Sequence, residues 1–208
     1  MPPADPSRPA ADPSGPAVRA ARDDAGVALQ IIQDLAGRAV RDDARVRFPR
    51  GWLRTAAEAR ALFPSVRTPV LVRNLAYAVQ LADIYGWLLE RTDLAGIVRD
   101  MVIKAYVACV AGIAEAVLAD HFAGETGWRQ HFASRTRMLR DRGAIDGALA
   151  DELLWLWDVR NKQHVHEIDA SEFDAYTPED YPRARAAVAA LLGGLAIHAG
   201  HPRPVRPL

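Results

Sequence analysis

Cysteine is nearly absent from this chain: Cys109 is the only one in 208 residues. An internal disulfide framework and a multi-cysteine metal site are therefore excluded. Cys109 lies in an apolar run and reads as a small buried hydrophobe rather than a nucleophile. Lysine is almost missing as well, with Lys104 and Lys162 the only two among 26 basic residues. With the abundant Ala, Gly and Pro, that bias reads as GC-rich coding before it reads as function. An excess of charge of either sign is lacking too, since Lys+Arg and Asp+Glu are both 26. No bulk attraction to nucleic acid or to a membrane follows, and any nucleic-acid contact has to come from a local basic patch. The N-terminus lacks the basic-then-apolar layout of a signal peptide. Arg99, Lys104, Glu115 and Asp120 interrupt the most apolar region, so no stretch is expected to approach a membrane span. These absences predict a soluble, cytoplasmic protein with no membrane partner.

What is present is a chain with 50% hydrophobic residues and 25% charged residues, enough to bury one sizeable core. The Pro- and Ala-rich stretch from Met1 to about Ala20 cannot bury enough apolar surface to offset the entropy of ordering, and a disordered N-terminal tail is expected over 1–20. Residues 21–199 are expected to form one helical domain, and 200–208 a short C-terminal tail. The body shows helical rather than strand periodicity. A first helix is expected over Asp23 to Asp43, with Val27, Ile31 and Leu35 on one stripe. Thr55-Ala-Ala-Glu58 has the form of a capping box opening a short helix that stops at Pro64. Thr68-Pro69 is a start signal for the next helix. Thr92-Asp93 is expected to cap a long helix reaching His121, apolar nearly all round and therefore central. Lys104 and Glu115 share one face of it with Ala108, Ala111 and Gly112, a face that suits close packing of another helix and equally a cleft or dimer seam.

A further helix is expected near Trp128 to Arg142, and Asp146 caps one that runs through Leu149, Leu153, Leu156 and Arg160. Thr177-Pro178 then opens the last helix, with Pro178 at its first position. Several helices joined by short links make an all-α, antiparallel helical bundle the natural architecture.

One segment carries chemistry. Between Leu153 and His166 an apolar, aromatic helix changes within a turn to Arg160-Asn161-Lys162-Gln163-His164-Val165-His166. Arg160 and His164 are four residues apart and share a helical face. An arginine fork grips phosphate at two points, and a histidine exchanges protons near neutrality. Together they suit phosphoryl transfer. The same residues also fit a plain structural role, because cations and Asn are favoured at a helix C-terminus.

Here the chain resembles the HEPN domains, helical bundles marked by an arginine, a polar residue directly after it, and a histidine after four to six intervening residues. Arg160, Asn161 and His166 match that pattern, and His164 falls outside it by one. The order of an apolar central helix, the motif helix and a final helix resembles the family over roughly Thr68 to Ile197. The resemblance implies a homodimer acting as a metal-independent endoribonuclease of toxin or defence type. It implies Arg160 and His166 as catalytic, Asn161 and His164 as supporting, RNA as substrate and an antitoxin protein as a further partner. It equally admits a non-catalytic interaction or scaffold module.

No cofactor is expected. His164-Val165-His166 has Glu167 and Asp169 nearby, but no third metal ligand at a recognisable spacing, and there is no HExxH, Glu-x-x-His pair, phosphate-cradling glycine loop or nucleophile elbow. His121, His131, His198 and His201 read as surface residues. Arg135, Arg137, Arg140 and Arg142 read as a solvated basic face to which RNA phosphates would be a plausible guest.

Overall fold

A computed structural model describes residues 51–125, 131–161, 175–205 and 208, together with Val27, Ala28 and Ile31. The chain divides into two units, Met1–Phe48 and Pro49–Leu208. In the first, Val27, Ala28 and Ile31 are helical and exposed; the rest of the helix expected over Asp23 to Asp43, and the expected tail, lie outside the described residues.

The second unit is all-helical among the described residues: α1 (Ala56–Arg60), α2 (Pro69–Arg91), α3 (Gly96–His121), α4 (Phe132–Asp141), α5 (Gly147–Asn161) and α6 (Asp180–His198). The caps explain several boundaries. At α1 the Thr55 side chain accepts from the Glu58 amide while the Thr55 amide donates to the Glu58 carboxylate at 2.8 Å, a reciprocal box. At α5 the Asp146 carboxylate accepts from the Leu149 amide at 2.8 Å. Pro69 opens α2 as expected, but the Thr68 hydroxyl does not cap its own helix. It donates to the Asp120 carboxylate at 2.5 Å, pinning the start of α2 to the end of α3.

Two expected starts are displaced. The Thr92 hydroxyl donates back to the Leu88 carbonyl at 2.5 Å and so closes α2 instead of opening α3, which begins at Gly96. At α6, Pro178 lies in a turn in which the Thr177 amide donates to the Asp180 carboxylate at 2.8 Å, and the helix starts at Asp180.

Helix directions follow from paired residues. Cys109 against Ala78, and Asp120 against Thr68, make α2 and α3 antiparallel. The Tyr176 hydroxyl on the Val159 carbonyl, Arg183 on Glu152 and Gly194 against the Ala144 carbonyl make α5 and α6 antiparallel. Tyr106–Tyr181 and His121–His198 make α3 and α6 parallel.

The core lies around α3, as the all-round apolar pattern predicts: Val107, Val110 and Leu118 are fully buried beside Val79, Leu153, Leu156, Leu191 and Leu195. Of the small-residue face, Ala111 turns into the core, while Ala108 and Gly112 line an apolar groove between α2 and α3. Contrary to the expectation that no stretch approaches a span, α3 is long and apolar enough by length and composition. Its best 18-residue window has a mean hydropathy of 1.9, and half of that window is buried in the bundle. The C-terminal segment does not project as a tail throughout. Leu208 is buried, its carbonyl accepts from Arg185 at 2.8 Å, and the Arg203 side chain lies over Gly193.

Candidate functional site

The arginine singled out by sequence closes α5. Arg160 is half-buried, and its guanidinium lies over the Trp157 ring at 4.7 Å. That contact uses the one-turn spacing of the two residues and holds the guanidinium against the helix. Trp157 in turn stacks on Phe132 of α4, with ring centroids 4.5 Å apart and planes within 10° of parallel. Asn161 is exposed, and its side-chain oxygen is 3.4 Å from the Arg160 guanidinium, a long contact. His164 and His166 lie outside the described residues. The structure thus brings Arg160 and Asn161 together at an accessible helix end. Trp155, also on α5, carries the Arg183 guanidinium over its ring at 3.8 Å.

The arginines of α4 do not form the single solvated face expected. Arg135 is buried, Arg140 pairs with Asp141 at 2.9 Å, and Arg142 makes a two-point contact to the Glu125 carboxylate at 3.0 and 2.6 Å while lying over the Phe122 ring.

A second constellation, read in sequence as unrelated surface histidines, assembles at the opposite end of the bundle. His121 at the end of α3 and His198 at the end of α6 have ring centroids 6.1 Å apart. With His201, Arg67, Glu125 and Arg142 they line an open cleft of about 570 Å³. Arg67 closes the end of α3: its guanidinium donates to the carbonyls of Asp120, His121 and Ala123 at 2.6, 2.8 and 3.3 Å, and its amide donates to the Asp120 carboxylate. Burial, then His198 and Arg67, push the His121 imidazole below its ordinary range. The Arg142 fork holds the Glu125 carboxyl below the usual carboxylate range. No spacing rule predicts this cleft, because its residues come from separate segments. The only sequence signal is that histidines end both α3 and α6.

A third site, a smaller cavity of about 210 Å³, lies between α2 and α6. The part-buried ion pair of Arg54 and Asp83 and the phenols of Tyr106 and Tyr181 face it, and burial pushes both phenols far up. Burial also pushes the Cys109 thiol up to about 11, and its sulfur donates to the Ala78 carbonyl, consistent with an inert packing residue. Among the described residues no group of three His, Cys, Asp or Glu side chains is placed to hold a metal ion.

Comparison with known proteins finds no matching family model, no matching curated protein and no matching solved structure.

Proposed function

We propose that this chain is a metal-independent endoribonuclease centred on Arg160, in the manner of the HEPN domains its motif resembles. The observation that supports this is the guanidinium of Arg160, held over the Trp157 ring at the accessible end of α5 with Asn161 beside it. A planar fork presented in this way suits two-point contact with a phosphate, and a lysine would not reproduce it. In the proposed step a ribose 2'-hydroxyl gives its proton to a histidine, and its oxygen forms a bond to the adjacent phosphorus. The bond from phosphorus to the 5'-oxygen breaks, and a second histidine protonates that leaving oxygen. The products are a 2',3'-cyclic phosphate and a 5'-hydroxyl. His166 takes the first role, with His164 as the supporting imidazole, and a second copy of the chain supplies a second set. Arg160 stabilises the charge that develops on the phosphorane.

A second reading, a non-catalytic interaction module, is favoured by one observation. The groove between α2 and α3, about 560 Å³, is lined by Leu71, Leu75, Tyr85, Ala108 and Gly112, and Val70, Tyr77 and Leu81 nearby are exposed. An apolar surface of this kind suits a protein partner or a second copy.

The test is incubation of wild-type protein and the Arg160→Ala/His166→Ala double variant with total RNA in EDTA, with the fragment ends analysed. Cleavage by wild type alone, leaving 2',3'-cyclic phosphates, is expected, with the double variant slower by roughly a thousandfold or more. Absence of cleavage by either protein turns the assignment to the interaction module.

A further inference from the structure

The histidine cleft at the far end of the bundle stands apart from the Arg160 reading and asks for its own explanation. Its charge balance comes from every element around it. The link before α2 contributes Arg67, α3 contributes Asp120 and His121, and the turn after α3 contributes Glu125. The end of α4 contributes Arg142, α6 contributes His198, and the segment beyond α6 contributes His201. With the imidazoles neutral, two arginines meet two carboxylates and the cleft has no formal charge. Each imidazole that takes a proton adds one positive charge, and nothing else at the cleft changes sign near neutrality.

Helix C-termini ordinarily attract cations, but both ends here are already covered. The last carbonyls of α3 are bound by Arg67. The end of α6 is closed by its own backbone: Gly200 has a φ of 78°, the Gly200 amide donates to the Ile197 carbonyl and the His201 amide donates to that of Ala196 at 2.8 Å. A metal ion would sit between two guanidiniums, and the described residues give it no set of three ligands. The donors that remain, three imidazoles and the Arg142 fork, suit an anion.

The Arg142 fork is already gripping one. Glu125 meets it at 3.0 and 2.6 Å, side chain to side chain, in the two-point geometry that arginine also gives a phosphate. Both partners are exposed, and an exposed pair contributes little net stability, so a stronger anion can displace the carboxylate. A monoanionic diester would exchange one negative charge for another. A phosphate monoester dianion would bring two and draw protons onto the imidazoles.

We propose that the cleft formed by Arg67, His121, Glu125, Arg142, His198 and His201 binds the dianion of a phosphate monoester or of free phosphate, displacing Glu125 from Arg142 and binding together with a proton on His121 or His198. Burial first, and then His198, Arg67 and Arg142, lower the proton affinity of His121, and an anion would neutralise the charged groups in that set.

The test uses the full chain, methyl phosphate and inorganic phosphate as probes, dimethyl phosphate as the diester control, and constant ionic strength. Proton–carbon spectra of the histidine rings, assigned with His121→Gln and His198→Gln, report binding. Methyl phosphate is expected to move the His121 and His198 signals and to raise the pH at which His121 titrates. Binding should take up a proton, so it should weaken as pH rises above about 7, where His121 is harder to protonate. His121→Gln and Arg142→Gln should each weaken binding by about tenfold, while Arg137→Gln, which removes an exposed charge elsewhere on α4, should not. Tighter binding of methyl phosphate or of inorganic phosphate supports the site with an esterified or a free ligand respectively. Unmoved His121 and His198 signals in wild-type protein overturn it, and so does dimethyl phosphate binding as tightly as methyl phosphate. Because the wild-type spectra alone decide, a variant that fails to fold does not protect the proposal.

Discussion

The two ends of the bundle hold similar chemistry in opposite ways. At the Arg160 end, the residues that matter are neighbours in sequence on one helix turn, stacked on the aromatic residue three positions earlier. At the histidine end, His121 and His198 are 77 positions apart and meet only because α3 and α6 run parallel and finish together. A contiguous motif announces itself to a reader of sequence, whereas a cleft built by topology stays silent until the helices are placed. The supporting interactions differ as well. Buried Asp120 ties Arg67 and Thr68 to the histidine end, while the Arg160 end is tied by the Tyr176 phenol on the Val159 carbonyl at 3.3 Å and by the Trp157–Phe132 stack.

That contrast can be broken by changing one tie at a time. The largest effect is expected for Asp120→Asn, which leaves the Arg67 amide and the Thr68 hydroxyl competing for a single uncharged acceptor. A loss of about 1.5–3 kcal/mol in denaturant unfolding is expected, the range for hydrogen bonds to a charged group. Hydrogen exchange should speed up at the ends of α3 and α6 and not around Val159; uniform acceleration would mean that the two ends are not separable.

A smaller effect is expected for Tyr176→Phe, which removes the hydroxyl and leaves the buried ring. About 0.5–1.5 kcal/mol should be lost, with the protection of the last turn of α5 falling and the histidine signals unchanged. Equal disturbance of both ends would again dissolve the distinction.

The smallest effect concerns pH. His121 binds its proton less readily in the folded chain than when unfolded, because of burial first and then His198 and Arg67. The unfolded state therefore takes up more protons, and stability from this group is present above the ordinary histidine range and lost as pH falls through it. Between about pH 7.5 and 5.5 the unfolding midpoint should drop, and His121→Gln should flatten part of that drop. A slope identical to wild type would show that His121 does not feel its neighbours as the geometry implies.

Much of the fold was legible because it rests on local rules. The Thr55 box, Pro69, Asp146 and the all-round apolar pattern of α3 each carry their meaning within a few residues. The misplacements have a shared cause. Thr92 and Thr177-Pro178 carry genuine start signals, but the hydroxyl of Thr92 found a carbonyl behind it and the Asp180 carboxylate found the Thr177 amide ahead of it. Local hydrogen bonds compete, and sequence does not say which one wins. Of the candidate site, Arg160 and Asn161 are described and make a long side-chain contact, while His164, expected from its spacing to share a helical face with Arg160, and His166 fall outside the described residues. Arg142 misled because its partners, Glu125 and Phe122, lie seventeen and twenty positions away in sequence.

The parallel run of α3 and α6 also constrains how the chain could vary. The two helices touch at Tyr106–Tyr181 and again at His121–His198, fifteen residues on along one and seventeen along the other. One residue inserted between either pair would turn everything beyond it by about 100° and advance it by about 1.5 Å. It would therefore sacrifice the phenol contact or the imidazole contact, and no side-chain adjustment could keep both. Between those two points neither helix can change length alone, so growth and shrinkage of this chain are confined to the links outside them.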